Sequence, residues 1–471
     1  MQLIDRFRAV PQRGRWKTPV LSMLVGLCLL LSACSSLPDY KALIARHSGQ
    51  RAQFETALGP MTERRNAAIV ELLKRESGDI DILDRQIALE QAITDSPLLV
   101  GNKATLLQDG PATYAAMFAA IRGATDHINF EFYIIEDDEV GREFANLLLE
   151  RQAAGVQVNL IYDSFGALHT PDAYFERLQQ GGVHVLEFNP LNPFAARAPW
   201  RFNNRDHRKL LIVDGRVAFL GGINISSVYS SSGSFGSGGG DGGPWRDTDL
   251  QLEGPVVGEL QKLFLDTWQK QQAEPLTARD YFPRLEPAGT EIVRAIGSTP
   301  DDPYSQMYLT LISAIGNAER SVYITNAYFV PDPQFMQTLM DAAKRGVDVI
   351  LVLPSYSDSG LVFHAARSNY AMLLDAGVQI YEHMDALLHA KTAVIDGTWS
   401  TVGSSNLDWR SFADNDEVNA VVLGVDFGHQ MLQAFADDMK DSREITADTW
   451  KQRALALRLK EWFARRLQRL L

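Results

Sequence analysis

Two histidine–lysine pairs occur in matching contexts in this chain of 471 residues. The two motifs consist of His207, Lys209, Asp214, Gly221, Gly222 and Asn224, and of His389, Lys391, Asp396, Gly403, Ser404 and Asn406. Both follow the pattern H-x-K-x4-D-x6-G-[GS]-x-N with identical spacing. One such match is expected by chance in roughly one chain in ten thousand, so two matches indicate a duplication.

The duplicated residues are the ones that phosphoryl transfer requires. Histidine suits nucleophilic attack on phosphorus because it is largely neutral near pH 7 and can release the phosphate again. A second histidine can protonate the leaving alkoxide and then deprotonate the incoming alcohol. Lysines and asparagines would stabilise charge on the non-bridging oxygens. This chemistry needs no cofactor, and two ammonium groups beside the histidines would repel a metal ion.

The candidate catalytic residues are therefore His207, Lys209, Asp214, His389, Lys391 and Asp396, and the candidate phosphate-binding residues are Asn224 and Asn406. In each pair, lysine follows histidine by two positions on a strand, which places both side chains on one face. The two aspartates end apolar strands just before a glycine. Their expected role is to form a turn, or to orient the lysine or the backbone.

An internal repeat must position these motifs. Residues 118–134 parallel residues 312–329, each as a helix that leads into a strand, and residues 141–162 parallel residues 332–353 as a helix and a second strand. Further strands are predicted at Val183–Phe188 and Val378–Tyr381. The alternation predicts two α/β/α halves, at residues 96–285 and 286–445, each with a mixed sheet covered on both faces. They would pack as a pseudo-twofold pair with the active site at their interface.

The N-terminus is expected to be a targeting segment. Residues 1–34 hold five basic residues and one acidic residue, and an apolar run from Pro19 to Leu31 ends in Leu31-Ser-Ala-Cys34. This run of about 13 residues is shorter than the ~20 that a membrane-spanning helix needs. It resembles a bacterial lipoprotein signal with Cys34 as the site of lipid attachment; an uncleaved signal anchor is the alternative. Residues 35–95 are predicted to be a helical spacer or a cap on the main body.

The charge distribution sets one segment apart. Beyond residue 34 the chain carries 40 basic and 57 acidic residues, a net charge of −17. Non-specific nucleic-acid binding needs a positive surface and is therefore not expected. Residues 446–471 are instead predicted to form a basic amphipathic helix, which lies on an anionic membrane surface or docks on the protein body. Ser230–Gly243 is predicted to be a mobile loop, either bordering the active site or a plain insertion.

The two motifs resemble those of the phospholipase D superfamily, and the resemblance is closest to bacterial cardiolipin synthases over roughly residues 96–445. It also rests on Gly101–Lys103, Glu131–Ile134, Asp138–Phe144, Tyr162–Asp163, Asn203–Lys209, Trp245–Asp247, Tyr328–Pro331 and Asp414–Asn419. The resemblance implies that His207 is the nucleophile and His389 the general acid and base, a choice that the symmetric motifs cannot make.

The resemblance further implies that an acidic residue after each motif orients a histidine, often the one from the opposite half. Glu417 fits this role after the second motif. Asp249 fits it after the first, in preference to Asp247. The best-known cardiolipin synthases commonly begin with transmembrane helices, and this chain departs from them there.

The activity implied is phosphatidyl transfer. Phosphatidylglycerol would donate a phosphatidyl group to histidine, and a hydroxyl of a second phospholipid would accept it, giving cardiolipin and a small alcohol. Whether the second lipid of the reaction is phosphatidylglycerol or phosphatidylethanolamine stays open. The alternatives are a hydrolase with water as acceptor, a nuclease, and a silent lipid-binding lipoprotein. Intact motifs disfavour the last, and the acidic chain disfavours a nuclease. The expected location is a lipid-anchored, periplasm-facing position on a Gram-negative membrane, with the oligomeric state open.

Overall fold

The computed structural model describes residues 42, 51–78, 82–94, 96–201, 203–230 and 245–468. The predicted signal segment with Cys34 lies outside the described residues. So does the predicted loop beyond Ser230.

A short hairpin and two helices make up the described N-terminal region. Its elements are β1 (Phe54–Thr56), β2 (Gly59–Pro60), α1 (Glu63–Ser77) and α2 (Ile82–Ile93). The prediction that residues 35–95 are helical is wrong for the hairpin. Phe54 is fully buried and pairs in parallel with Leu98, and Gly59 turns the chain with a φ of +106° that a helix does not allow.

The first half begins at Leu98. Its elements are β3 (Leu98–Gln108), α3 (Asp109–Gly123), β4 (His127–Phe132), α4 (Glu139–Ala153), β5 (Gln157–Asp163), α5 (Asp172–Gln180), β6 (His184–Phe188), β7 (Arg205–Asp206), β8 (Lys209–Val213), β9 (Val217–Gly221), a 3-10 turn (Ser227–Tyr229), β10 (Trp245–Arg246), β11 (Thr248–Glu253) and α6 (Val256–Lys270).

The second half repeats this order with a C-terminal extension. Its elements are β12 (Glu291–Ser298), α7 (Gln306–Asn317), β13 (Ser321–Asn326), α8 (Pro333–Lys344), β14 (Asp348–Pro354), α9 (Gly360–Arg367), α10 (Tyr370–Asp375), β15 (Gln379–His383), β16 (Leu387–Leu388), β17 (Lys391–Ile395), β18 (Trp399–Gly403), α11 (Trp409–Ala413), β19 (Asn415–Leu423), α12 (Val425–Lys440), β20 (Ser442–Ile445), α13 (Ala447–Lys451) and α14 (Leu455–Arg466).

Strand pairing confirms the predicted pair of mixed α/β halves. The strand order is β6-β5-β4-β8-β9-β11-β3 in the first half. The second half has the corresponding order β15-β14-β13-β17-β18-β19-β12. In each half the three leading strands are parallel and the remaining pairs are antiparallel. β3 and β12 pair antiparallel, with Leu99 opposite Val293, so the two sheets continue into one another.

One hydrophobic core belongs to both halves. Leu250 of β11 and Val293 of β12 are fully buried in the same cluster, together with Phe264 of α6 and Phe427 of α12. Side chains buried on both faces explain why strands such as β8 read as continuous apolar runs. The shared core fixes the two halves relative to each other and so fixes the distance between the motifs.

Helix α2 caps the second half through buried polar contacts. Glu90 accepts a hydrogen bond from the Trp399 indole at 2.7 Å, and its carboxylate lies 3.6 Å from the Arg294 guanidinium. Both charged groups are fully buried. Gln86 donates to the Thr310 carbonyl of α7 at 2.9 Å. The N-terminal region is therefore a packed part of the body.

No helix in the described ranges is both long and apolar enough to cross a membrane.

Replacing Glu90 tests this cap. Glu90→Ala leaves the Arg294 charge buried without its partner, so we expect the free energy of unfolding to fall by about 3–5 kcal/mol. Urea denaturation followed by circular dichroism measures the change. Glu71→Ala, on the exposed face of α1, is the control and should change it by no more than about 0.5 kcal/mol. Equal denaturation midpoints for the two variants would contradict the assignment.

Candidate active site

The backbone before each motif histidine pairs with the opposite half. β7 runs parallel to the start of β19, and β10 runs parallel to β16. As a result, the amide of His207 donates to the Asp416 carbonyl at 2.9 Å, and the amide of His389 donates to the Arg246 carbonyl at 2.8 Å. Each histidine is therefore positioned by the half that does not contain it, and both motifs meet in one site.

Glu417 orients His207 from the opposite half. Nδ1 of His207 lies 3.1 Å from each carboxylate oxygen of Glu417. A carboxylate only accepts, so the proton resides on Nδ1 and leaves Nε2 with a free lone pair. The hydroxyl of Ser404 holds the same carboxylate from the other side. Burial and the neighbouring Lys209 lower the pKa of His207 to about 4, which keeps its ring neutral near pH 7.

Asp247 orients His389 in the same way. Its Oδ2 lies 2.7 Å from Nδ1 of His389. The Tyr229 hydroxyl lies 3.3 Å and the Lys391 ammonium 2.9 Å from that nitrogen, and Lys391 donates to the His389 carbonyl. Burial, followed by the charge of Lys391, lowers the pKa of His389. Although burial opposes it, the charge of Lys391 and the interaction with His389 lower the pKa of Asp247.

The two lysines lie in one buried site, where the charge of Lys391 affects the pKa of Lys209. Both are almost fully buried. Burial, and next the charge of Lys391, lower the pKa of Lys209 to about 7. Burial also lowers the pKa of Lys391, while Asp247 and Glu417 oppose that change. Two cations forced together in a dry pocket favour entry of an anion, as a phosphodiester would supply.

A buried ionic cluster supports the strand that carries Glu417. Arg208 points away from the site, since it alternates with His207 and Lys209 along the chain. Its guanidinium lies 3.5 Å from both Glu131 and Asp416 and donates to the Glu417 carbonyl at 3.2 Å. Burial raises the pKa of Glu131. The cluster ties β4, β8 and β19 together beneath His207.

Comparisons with known proteins agree with this architecture. The family described as "Cardiolipin synthase, PLD-like domain" matches residues 117–231 and 311–439, one segment in each half. A cardiolipin synthase of Geobacillus kaustophilus is 34% identical over 388 residues, which cover 82% of this chain and 76% of the relative. A cardiolipin synthase of Staphylococcus aureus is 35% identical over 380 residues, 79% of this chain and 74% of that one.

The chain belongs to the cardiolipin synthase family of the phospholipase D superfamily. The crystal structure of a phosphatidylserine synthase from Haemophilus influenzae shares its fold, with a TM-score of 0.62 over 81% of this chain and 96% of that one, at 12% identity.

Asp249 is not the residue that orients a histidine. Its Oδ1 accepts the amide of Ile223 at 3.0 Å, and burial with the nearby Asp247 charge raises its pKa to about 8. Strand register explains the correction. Gly221 faces Asp249, whereas Gly403 faces Asn419, so Asp249 corresponds to Asn419 and Asp247 to Glu417. The residues between Asn224 and Asp247 outnumber those between Asn406 and Glu417, which hides this correspondence in the sequence.

Asp214 and Asp396 lie outside the catalytic site, which corrects their place among the candidate catalytic residues. Asp214 accepts the amides of Thr125, Asp126 and His127, and Asp396 accepts those of Glu319, Arg320 and Ser321. Both have a positive φ and initiate the turn of a hairpin. Asp214 follows Lys209 by five strand positions, on the order of 16 Å. These aspartates tie the hairpin turn to the adjacent strand.

The asparagines differ in their contacts. Asn224 accepts the Ile134 amide at 3.1 Å and donates to the Tyr229 hydroxyl at 3.2 Å, so it reaches His389 through that tyrosine. Asn406 donates its backbone amide to Ser411, and its buried Oδ1 has no hydrogen-bond partner in the part of the chain that is described. Binding of phosphate oxygens by either side chain stays a prediction.

Aromatic side chains line the site, and Tyr229 among them was missed. The Tyr133 ring lies 4.9 Å from that of His207, and the Trp245 and Tyr229 rings lie 5.0 and 6.0 Å from that of His389. Tyr229 lies outside both motifs, and the sequence offers no spacing that would find it. These rings exclude water from the histidines.

Among the described residues, no group of three or more His, Cys, Asp or Glu side chains could hold a metal ion.

The pair Asp247 and Asp249 gives a matched test of histidine orientation. Asp247→Asn replaces a group that only accepts by an amide that can also donate, so His389 is no longer held with its proton on Nδ1. We expect turnover to fall on the order of 10³–10⁴-fold, as for the same substitution in serine protease triads. Asp249→Asn replaces a carboxyl with a raised pKa by a group of the same shape and should change turnover little. A larger loss for the Asp249 variant would restore the assignment from the sequence. Initial rates on phosphatidylglycerol vesicles provide the measurement.

Proposed function

We propose that this protein is a cardiolipin synthase-type phosphatidyltransferase that uses two phospholipids as donor and acceptor. The observation that carries the proposal is the joining of both histidines in one buried site, each oriented by a carboxylate of the opposite half. Family membership supports the same activity. The donor lipid we propose is phosphatidylglycerol.

In the first half-reaction, Nε2 of His207 attacks the phosphorus of phosphatidylglycerol. The bond between phosphorus and the glycerol headgroup oxygen breaks, and protonated His389 gives that oxygen its proton. Glycerol leaves, and a phosphatidyl group remains on His207. The bound phosphodiester anion offsets the lysine charges that lower the pKa of His389, so it favours the protonated form that the step needs.

In the second half-reaction, His389 removes the proton from a hydroxyl of the acceptor lipid. The resulting oxygen attacks phosphorus, the bond to His207 breaks, and cardiolipin forms when the acceptor is a second phosphatidylglycerol. Lys209 and Lys391 stabilise the charge on the non-bridging oxygens in both steps. The burial of all four side chains favours a lipid hydroxyl over water as the acceptor, because a dry site limits hydrolysis.

The decisive experiment mixes the purified protein with phosphatidylglycerol vesicles and identifies the products by mass spectrometry. We expect cardiolipin and glycerol, and a loss of both on the order of 10³-fold or more in His207→Ala and in His389→Ala. Phosphatidic acid in place of cardiolipin would make the protein a hydrolase. If no product forms, the same assay with added phosphatidylethanolamine tests that lipid as the phosphatidyl donor, with a headgroup hydroxyl of phosphatidylglycerol as the acceptor and ethanolamine as the alcohol released. Inactivity there too would overturn the proposal.

A phosphodiester with a good leaving group separates the roles of the two histidines. Departure of nitrophenolate needs no general acid, so His389→Ala should accumulate a phosphatidyl adduct on His207 that peptide mass spectrometry detects. His207→Ala should form none. An adduct on His389 in the His207 variant would show that His389 is the nucleophile and His207 the general acid.

We also propose that a lipid on Cys34 anchors the protein to a membrane with the catalytic body facing the periplasm. The support comes from the first 34 residues. They hold a basic stretch, then an apolar run, and then the sequence Leu-Ser-Ala-Cys. Labelling of cells with an alkyne fatty acid should mark the wild-type protein and leave Cys34→Ser unmarked, whereas Cys28→Ser should be labelled like the wild type. Label on the Cys34 variant would contradict the anchor.

A further inference from the structure

The C-terminal helix α14 docks on the body by one face. Glu461 and Ala464 are buried there, and Ala464 packs with Ala365 of α9 and with Val330. Glu461 accepts a hydrogen bond from Arg453 at 2.9 Å. Docking on the body, one of the two alternatives from the sequence, therefore accounts for only this face of the helix.

The opposite face carries large apolar side chains in solvent. Leu455, Leu459, Trp462 and Phe463 are each 58–69% exposed. At about 3.6 residues per turn they fall within roughly a third of the circumference, opposite the docked face. Arg466 falls within the same third, and its guanidinium lies 4.9 Å from the Trp462 ring. Exposed apolar side chains clustered on one face typically mark an interaction site.

Positive charge flanks this apolar stripe. Arg458 and Arg465 are exposed on one flank and Lys460 on the other. The helix contains one acidic residue, Glu461, which is buried and paired with Arg453. An apolar stripe between exposed cations, on a chain whose net charge is negative, matches the interface of an anionic bilayer: apolar groups below the headgroups and cations among them.

A short segment connects the helix to the active site. Tyr328, whose ring lies 6.3 Å from that of His389, comes two residues before Val330, which packs with α14. The Tyr328 hydroxyl donates at 2.6 Å to Asp358, just ahead of α9. The segment from Tyr328 to Val330 therefore contacts the docked face of α14 at one end and the ring of His389 at the other.

In the first half, the loop after β5 carries exposed apolar side chains. It corresponds to the segment between β14 and α9 in the second half. Phe165 and Leu168, which follow β5, are about half exposed. Gly166 between them lies so close to the Tyr133 carbonyl that a side chain would clash, which holds this loop beside the ring next to His207. In both halves, exposed apolar side chains therefore lie on elements that contact a segment next to a catalytic histidine.

We propose that α14, together with the loop that carries Phe165 and Leu168, is the face by which this protein lies on an anionic phospholipid bilayer. The active site then opens toward the bilayer, and a phospholipid reaches the histidines without crossing water. The identity of the lipid as a substrate rests on the proposed function; the membrane contact itself is tested separately.

Site-specific fluorescence tests the contact independently of activity. The chain of 471 residues has two cysteines, Cys28 and Cys34, and serine at both removes competing thiols and the expected anchor. A dye on Phe463→Cys should be quenched by brominated acyl chains in vesicles that contain phosphatidylglycerol, and much less in phosphatidylcholine alone. A dye on Leu58→Cys, at an apolar site that is 84% exposed in the β1–β2 turn, should stay unquenched.

Two results of this measurement would overturn the proposal. The first is a dye at residue 463 that is quenched no more than the one at residue 58. The second is a dye at residue 463 that becomes shielded without lipid as protein concentration rises, because a second copy of the chain would then cover the stripe.

Activity gives a second test. Trp462→Glu/Phe463→Glu should lower turnover of phosphatidylglycerol vesicles by about tenfold or more, and leave turnover of a short-chain, monomeric phosphatidylglycerol unchanged. Leu58→Glu is the matched control and should alter neither. An equal fall on both substrates would assign the face a structural role and overturn the proposal. No turnover of either lipid by the unaltered protein would instead count against the proposed function and leave the quenching result standing.

Discussion

The reciprocal pairing of β7 with β19 and of β10 with β16 is the constraint on which the site depends. Each pair is only two residues long, yet it delivers a histidine to one side and its orienting carboxylate to the other. Neither half alone contains a complete histidine–carboxylate pair. A duplicated domain that assembles in this way needs a rigid interface, and the shared core beneath β3 and β12 provides it.

Buried charged side chains contribute to the rigidity of this structure. Arg208, Glu131 and Asp416 lie below His207, and Glu90 of the cap helix α2 pairs with Arg294 of β12. Such groups contribute little net stability, but each becomes costly once its partner is lost. They therefore specify one arrangement of the strands, and this arrangement in turn fixes the positions of the histidines. In the second motif Ala390 occupies the position of Arg208, so the two halves meet this requirement differently.

Sequence predicted what repeats along the chain and missed what depends on contacts between strands. Spacing located both histidines and both lysines, and Asp214 before Gly215 was predicted as a turn former as well as a catalytic candidate. The sequence favours Asp249 over Asp247, because only the register of β9 with β11 decides between them. The longer connection between Asn224 and Asp247 means that counting residues from the motif does not reveal this register. Tyr229 reaches His389 only through folding. For α14, docking on the body describes one face, and an exposed apolar stripe occupies the other.

Transfer rather than hydrolysis requires that the acceptor arrive without water. Aromatic rings against both histidines and the burial of both lysines keep the pocket dry, so its charges act at low dielectric. A lipid that first left the bilayer would expose its acyl chains to water before it entered this pocket. That exposure is unfavourable, so the lipid has to enter directly from the bilayer. The membrane face that we propose, with α14 and the loop of Phe165 and Leu168 on the bilayer, relieves this conflict. The chemistry of the site and the exposure of α14 are then two consequences of the same need to exclude water.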